Sequence, residues 1–276
     1  MRTLAQTWLV RRLVAARERF RADDLGTQAS ALAFQAYLSM FPLMLLGLSA
    51  AGFLLSGDPA DAVRRFFDAV PGIGPLLDRY LDQVVRARGS LGLIALGGVL
   101  WSATALAGRG TRSLARIFRL PDPGLLRRRV RALLSILALG ALLLGALLLS
   151  GVVASVEVPG VSGVLRRMGS FVLIAALELA FFLLAYRLLT PEGGPGLGDH
   201  VPGALLMTLG WNALKLIGGL LVTRVVANAS ALYGTIGAVF GLLLFLRIAT
   251  GLWLAGAELT AIVREERAAA AGISAP

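Results

Sequence analysis

The stretch that decides the fold is ALLSILALGALLLGALLLSGVVASV, residues 132–156, which contains no charged side chain. A helix needs about 20 apolar residues to cross the ~30 Å hydrocarbon core of a bilayer, and this run is long enough. Of the 276 residues, 57% are hydrophobic and 16% are charged, whereas soluble domains are about 25% charged. The sequence therefore predicts an integral membrane protein.

Other apolar runs of similar character lie on both sides of this one, so the predicted fold is all-α, a bundle of six transmembrane helices. Together they form one transmembrane domain, residues 25–263, and a tail of residues 264–276 follows. Pro42 removes one backbone hydrogen bond and is expected to kink the first span. The predicted spans are residues 30–55, 90–107, 132–154, 168–189, 202–222 and 236–263.

Two amphipathic regions are predicted to lie on the membrane rather than to cross it. Residues 1–24 contain an apolar stripe with arginines on the opposite side, which is typical of an interfacial helix among lipid headgroups. Residues 60–88, in the first outer loop, are predicted to form two short amphipathic helices separated by the Pro/Gly break at residues 71–75. Asp23 and Asp24 are placed to begin the first long helix.

The net charge of +11 follows a pattern that orients the chain. Arginines concentrate in the N-terminal segment, between the second and third spans, and in the tail, and the positive-inside rule places these parts in the cytoplasm. Both termini are therefore predicted to be cytoplasmic. Four arginines of the central basic loop are predicted to contact anionic lipid, namely Arg127, Arg128, Arg129 and Arg131.

The sequence carries none of the motifs that would indicate an enzyme. It has no cysteine, no His-Glu-x-x-His, no phosphate-binding loop and no Gly-x-Ser-x-Gly. The single histidine, His200, follows Asp199 in a Gly/Pro-rich turn and is interpreted as a solvated residue. We therefore expect no catalytic residue, no cofactor, no metal site and no specific binding of nucleic acid.

Polar residues inside the predicted spans are the strongest candidates for function. A charge at the bilayer centre costs about 2.5–3.5 kcal/mol on the insertion scale, so it usually faces a partner or a hydrated cavity. Glu178, Lys215 and Arg247 lie roughly 11 to 13 residues into their spans, near mid-depth. The full set is Gln35, Glu178, Asn212, Lys215, Arg247 and Glu258.

Two interpretations of the three mid-depth charges stay open. In the first, Glu178 pairs with Lys215 or Arg247, and the remaining cation faces a polar cavity that holds an anionic headgroup. In the second, the pair is only structural and the remaining cation extends its side chain toward the interface.

An ordered set of short motifs resembles the YihY/BrkB-like family of bacterial inner-membrane proteins, formerly labelled ribonuclease BN. The resemblance implies six spans, with both termini in the cytoplasm. Arg247 departs from the pattern, because relatives usually carry an uncharged residue there. The motifs are Ala31-Leu32-Ala33-Phe34, Phe41-Pro42, Trp101-Ser102-Ala103, Tyr186 with Pro191, Pro202-Gly203-Ala204, Tyr233-Gly234-Thr235-Ile236-Gly237-Ala238 and Gly256-Ala257-Glu258-Leu259.

The expected function is transporter-like or flippase-like handling of an amphiphile such as an anionic lipid, linked to envelope integrity. The alternative is a non-transporting membrane scaffold that binds anionic lipid or a protein partner. A ribonuclease ranks last: a basic chain can bind RNA phosphates, but hydrolysis needs a base or metal ligands. The expected partners are the bilayer, anionic lipids and an amphiphilic substrate, and a homo-oligomer is compatible with the sequence. The 33 glycines are interpreted as sites of close helix packing within the bundle.

Overall fold

The computed structural model describes residues 14–54, 88–122, 124–155, 163–225 and 231–270. These ranges are almost entirely helical and contain no strand, which confirms the all-α prediction for the described residues. A 3-10 helix, Leu197–His200, precedes the fifth long helix. The long helices are α1 (Leu25–Leu54), α2 (Arg88–Ile117), α3 (Leu125–Ser155), α4 (Gly163–Leu189), α5 (Val201–Val225) and α6 (Ala231–Ala270).

Each predicted span falls on one of these helices, and α1 continues through Pro42. Residues 14–22, from the predicted interfacial segment, are helical as well. The rest of that segment, residue 55 of the first span and nearly all of the predicted outer-loop helices lie outside the described residues.

The extent predicted for the central basic loop was wrong. Helix α2 continues to Ile117 and α3 begins at Leu125, so only residues 118–124 connect them. The apolar spans end at the first arginines, but the helices continue past them, because arginine is a good helix former. Most of the arginines assigned to a loop therefore lie on helix surfaces.

Helix α2 ends in a Schellman motif built on an arginine instead of a glycine. The amide of Leu120 donates to the carbonyl of Ala115 at 2.7 Å, and the amide of Arg119 donates to Arg116 at 3.1 Å. Arg119 has a φ of 52°, in the left-handed region that glycine usually occupies at this position. Pro121 follows and prevents further helix.

The two aspartates before α1 make a tight turn, and α1 begins directly after them as predicted. Asp24 has a φ of 49°, which interrupts the helix between residues 22 and 25. The Thr27 hydroxyl donates to Asp24 Oδ1 at 2.9 Å, and the Gln28 side-chain amide donates to the Asp23 carbonyl at 3.1 Å.

The described chain divides into two compact units. The unit we call the terminal unit comprises Met1–Ser30, Ala107–Ala213 and Ala249–Pro276, and the one we call the middle unit comprises Ala31–Leu106 and Leu214–Ile248.

Two described stretches are long and apolar enough to cross a bilayer by length and composition, Met168–Leu189 and Val239–Ala270. Their best windows have mean hydropathies of 2.2 and 1.9, yet only 11% and 17% of the residues in those windows are buried inside the protein. In a soluble protein such apolar surface would be covered. Outward-facing apolar helices are the arrangement that lipid solvates.

The middle unit is held by close approaches at small residues. A Cβ added at Gly98 would lie 2.9 Å from the Cβ of Pro42, and one added at Gly218 would lie 3.4 Å from the Phe245 ring. Trp101, on α2, is 75% exposed. Small residues let helices approach closely in lipid, where packing replaces the hydrophobic effect.

The core of the terminal unit is a stack of aromatic rings. Tyr186 of α4 lies parallel to Trp253 of α6, with ring centroids 5.5 Å apart, and parallel to His200 at 5.7 Å. Phe118 meets the His200 ring edge-on at 5.6 Å. The Tyr186 hydroxyl donates a hydrogen bond of 2.5 Å to the Trp253 carbonyl, which satisfies its only polar group.

Beside this stack, α5 and α6 cross with their backbones in contact. A Cβ added at Gly203 would lie 2.3 Å from the Gly256 carbonyl oxygen. One added at Gly256 would lie 2.4 Å from the Tyr186 hydroxyl and 2.7 Å from the Gly203 carbonyl oxygen. Real Cβ atoms do not approach other atoms this closely, so both positions require glycine.

The interpretation of His200 as a solvated residue was wrong, because the side chain is completely buried in this stack. Neither ring nitrogen has a hydrogen-bond partner of good geometry among the described residues. Burial lowers the pKa of His200 to about 4, since the charged form would lose its hydration. Arg187 and Arg264 lower this pKa further, while the Asp199 carboxylate opposes them.

We expect Gly203→Ala and Gly256→Ala each to lower the free energy of unfolding by about 1–3 kcal/mol, because the added methyl group has no space. Thermal unfolding of the detergent-solubilised protein measures this. Gly169→Ala on α4 is the matched control, since nothing lies within 4 Å of its added Cβ. Equal stability of all three variants would contradict the close crossing.

We expect the stability of the protein to fall as the pH drops from about 6.5 to 4, in part because of His200. Its pKa is lower in the folded chain than in the unfolded chain, so the unfolded chain binds more protons in this window. The loss is about 3 kcal/mol from the difference between the two pKa values. His200→Phe keeps an aromatic ring in the stack and should flatten the pH profile relative to the parent, whereas parallel profiles would contradict the assignment.

Candidate functional site

Glu178, the carboxylate predicted to lie at mid-depth, has a partner on the neighbouring helix. Asn212 of α5 donates from its side-chain amide to Glu178 Oε2 of α4 at 2.6 Å, and to the Thr208 carbonyl at 2.9 Å. Both side chains are half-buried. A charged acceptor strengthens such a hydrogen bond, so it fixes the position of the Glu178 carboxylate. The sequence identified Asn212 as a polar residue within a span, but not as this partner.

The other two members of the predicted cluster, Lys215 and Arg247, lie on α5 and α6 and belong to the middle unit. Both side chains are exposed on the surface of the chain. Glu178 and Asn212 belong to the terminal unit. The pairing of Glu178 with Lys215 or Arg247 therefore stays a prediction.

The four arginines predicted to contact lipid divide into two pairs. Arg128 donates to both carboxylate oxygens of Asp122 at 3.3 Å, across the connection between α2 and α3. Arg131 donates to the Thr190 carbonyl and, at 3.2 Å, to Glu192, beyond the end of α4. Arg127 and Arg129 are exposed and make no ion pair with any described residue. Arg128 and Arg131 thus bind groups of the chain itself, while the contact of Arg127 and Arg129 with lipid stays a prediction.

Helix α2 carries a second row of basic side chains. Arg109, Arg112 and Arg116 recur at intervals of three and four residues, so they lie on one face of the helix. All three are exposed, as is Arg119 in the turn that follows. Together with Arg127 and Arg129 they form what we call the basic surface of the terminal unit.

A buried acidic group near the chain ends was not recognised as a site from the sequence. Glu258 of α6 is only 1% exposed, and its Oε1 atom has no hydrogen-bond partner among the described residues. Asp23, from the turn before α1, lies within hydrogen-bonding reach of the Glu258 side chain. Glu258 could be found as a polar residue within a span, but Asp23 is distant in sequence, so no local pattern links the two.

An ion pair lies beside this acidic group. The Arg19 guanidinium donates to both carboxylate oxygens of Glu265, at 2.9 and 2.5 Å. These hydrogen bonds raise the pKa of Arg19 above its ordinary value, in spite of partial burial. The pair joins the N-terminal helical residues to α6.

Asp199 and His200, the residues that a ribonuclease mechanism would have to use, are engaged in structure. Asp199 Oδ2 accepts a hydrogen bond from the Gly196 amide at 3.0 Å, and Asp199 Oδ1 lies 3.7 Å from an Arg267 nitrogen. His200 is enclosed by aromatic rings, as described above. Among the described residues, no three His, Asp or Glu side chains are grouped so that they could hold a metal ion.

Comparison with known proteins places the chain among bacterial membrane proteins. It is 24% identical to the inner membrane protein YhjD of Escherichia coli, over 91% of this chain and 82% of that protein. It is also 24% identical to an uncharacterised protein of Dickeya dadantii, over 89% and 82%. A membrane protein of Verminephrobacter eiseniae is 33% identical over a shorter stretch, 46% of this chain and 31% of that protein.

No solved structure matches the chain significantly. The family described as virulence factor BrkB matches residues 16–275, which is nearly the whole chain. This agrees with the resemblance found in the short motifs. The chain is therefore a membrane protein that belongs to the BrkB family.

Proposed function

We propose that this protein moves an amphiphile, such as an anionic lipid, across the bacterial inner membrane, and that its activity contributes to envelope integrity. The observation that carries the proposal is the exposure of Lys215 and Arg247, which lie within the predicted spans on α5 and α6. Exposed cations at mid-depth are expensive in hydrocarbon, so they require a hydrated or anionic environment.

In this proposal six helices span the membrane, with both termini in the cytoplasm. The length of the helices supports six crossings, since each exceeds the ~20 residues that a bilayer core needs. The concentration of arginines near the α2–α3 connection supports the orientation.

The two cations suit an anionic headgroup in different ways. The Arg247 guanidinium can bind two oxygens of a phosphate at once, while the Lys215 ammonium acts as a compact point charge. Glu178, held by Asn212 at 2.6 Å, supplies a fixed negative charge on α4. In our proposal this carboxylate pairs with one cation, and the other cation faces the polar path that the headgroup takes.

We further propose that the chain is not an enzyme. The burial of His200 and the structural contacts of Asp199 support this, because neither group is presented to a substrate. Any RNA bound by the arginines would be held through phosphates and released by salt.

The second candidate is a scaffold that binds anionic lipid without moving it. The basic surface favours this reading, because each basic residue near an anionic membrane contributes about 1 kcal/mol of attraction. The two candidate functions require different residues. Transport requires the mid-depth cations, whereas a scaffold requires only the arginines of the basic surface.

We expect the purified protein, reconstituted into vesicles, to move a fluorescent anionic phospholipid between leaflets, as measured by chemical quenching of the outer leaflet. Either Lys215→Met or Arg247→Met should abolish this movement while leaving the protein folded. Glu178→Gln should lower the melting temperature, because it leaves the cations without their carboxylate. The proposed mechanism would be ruled out if the parent exchanged lipid between leaflets no faster than empty vesicles do. It would also be ruled out if both cation variants exchanged lipid as fast as the parent.

We expect neutralising Arg127 and Arg129 to weaken binding of the protein to anionic vesicles, because both side chains are exposed and unpaired among the described residues. Neutralising the matched pair Arg128 and Arg131 should instead lower thermal stability, since these two hold Asp122, Thr190 and Glu192. Co-flotation and thermal unfolding measure the two effects, with zwitterionic vesicles as the control. If the variant without Arg127 and Arg129 still co-floats with anionic vesicles as the parent does, this result would argue against the scaffold.

A further inference from the structure

The start of the described chain runs antiparallel to the end of α6. Arg19 pairs with Glu265, Asp23 lies beside Glu258, and the Thr250 hydroxyl donates to the Ala29 carbonyl at 2.8 Å. Later residues of the N-terminal segment thus contact earlier residues of α6. Leu25 and Ala29, within this segment, are completely buried.

The contact in the middle of this seam brings two carboxyl groups together. Two ionised carboxylates repel each other and have no hydrogen to donate, so as a pair they cannot form a hydrogen bond. Glu258 is 1% exposed and its Oε1 is unpartnered among the described residues, so water does not relieve the repulsion. Such an arrangement is stable when one proton is added to the pair.

The surrounding charges do not remove the need for that proton. Arg19 is the cation that acts on Glu258, but two of its three donor nitrogens, Nη1 and Nη2, already donate to Glu265. Glu265 adds a further negative charge facing Glu258, and Arg119 acts on Glu265. Arg19 therefore acts on Glu258, Glu265 and Asp23 together, while Arg119 acts on Glu265, so negative charge stays in excess around the buried Glu258 side chain.

We propose that Glu258 and Asp23 form a proton-binding site, in which the two carboxyl groups share one proton at neutral pH. The bound proton supplies the missing hydrogen-bond donor and joins the turn before α1 to α6. Loss of the proton leaves two adjacent negative charges and loosens this seam. The inference stands apart from the proposed transport, and its test measures no transport.

Infrared spectroscopy of the protein in lipid nanodiscs tests the site, because a protonated carboxylic acid has a carbonyl band that an ionised carboxylate lacks. The parent at neutral pH should show this band, with a shift in D₂O and a loss of intensity as the pH rises. Glu258→Gln should lack it, since a glutamine copies the shape of the protonated acid and carries no titrating proton. Asp23→Asn should also lack it, because the asparagine amide donates to an ionised Glu258.

Glu178→Gln is the matched control, since Glu178 already has the Asn212 amide as a donor. That variant should keep the band. A band that survives in both Glu258→Gln and Asp23→Asn, or a parent without any such band at neutral pH, would overturn the proposal. If Glu258→Gln does not fold, the comparison of Asp23→Asn with the parent decides alone.

Discussion

The crossing of α5 and α6 at Gly203 and Gly256 is the constraint on which the terminal unit depends. Two backbones touch there with no side chain between them, and this proximity brings α4 into place as well. The Tyr186 hydroxyl can reach the Trp253 carbonyl only because Gly256 has no Cβ in its path. The ring stack then follows, and with it the burial of His200. Close packing of this kind is what holds helices together in a solvent as apolar as their own side chains.

The helices and their order could be predicted from the sequence because each depends on a local quantity, the length of an apolar run. Their ends were harder to predict. By hydropathy, one apolar run ends before Arg109 and the next begins at Ala132. Helix α2 itself ends at a later turn, in which Arg119 has a left-handed conformation. An arginine at that position gives no sign of a helix end, since glycine is the residue expected there.

The candidate site could be predicted only as a set of residues and not as a set of contacts. Glu178 and Asn212 stand out because polar groups are rare in spans, but their hydrogen bond depends on how α4 and α5 are rotated. His200 was misjudged for the same reason: the Gly/Pro-rich turn around it is typical of an exposed segment, whereas the rings that cover it come from α4 and the α2–α3 connection. Likewise, nothing in the basic run of residues 127–131 distinguishes the two arginines that hold the fold from the two that are free of ion pairs among the described residues.

The ion pair of Arg19 with Glu265 joins residues 246 positions apart, and this has a consequence for how the protein is made. A ribosome adding roughly 5–20 residues per second takes about 10–50 s to synthesise that interval. Throughout this time the α6 partners of Arg19 and Asp23 have not yet been synthesised. The earlier helices are meanwhile already being inserted into the membrane. The terminal unit is therefore completed last, when α6 arrives, and a nascent chain that stalls before α6 leaves this segment open to other proteins at the membrane.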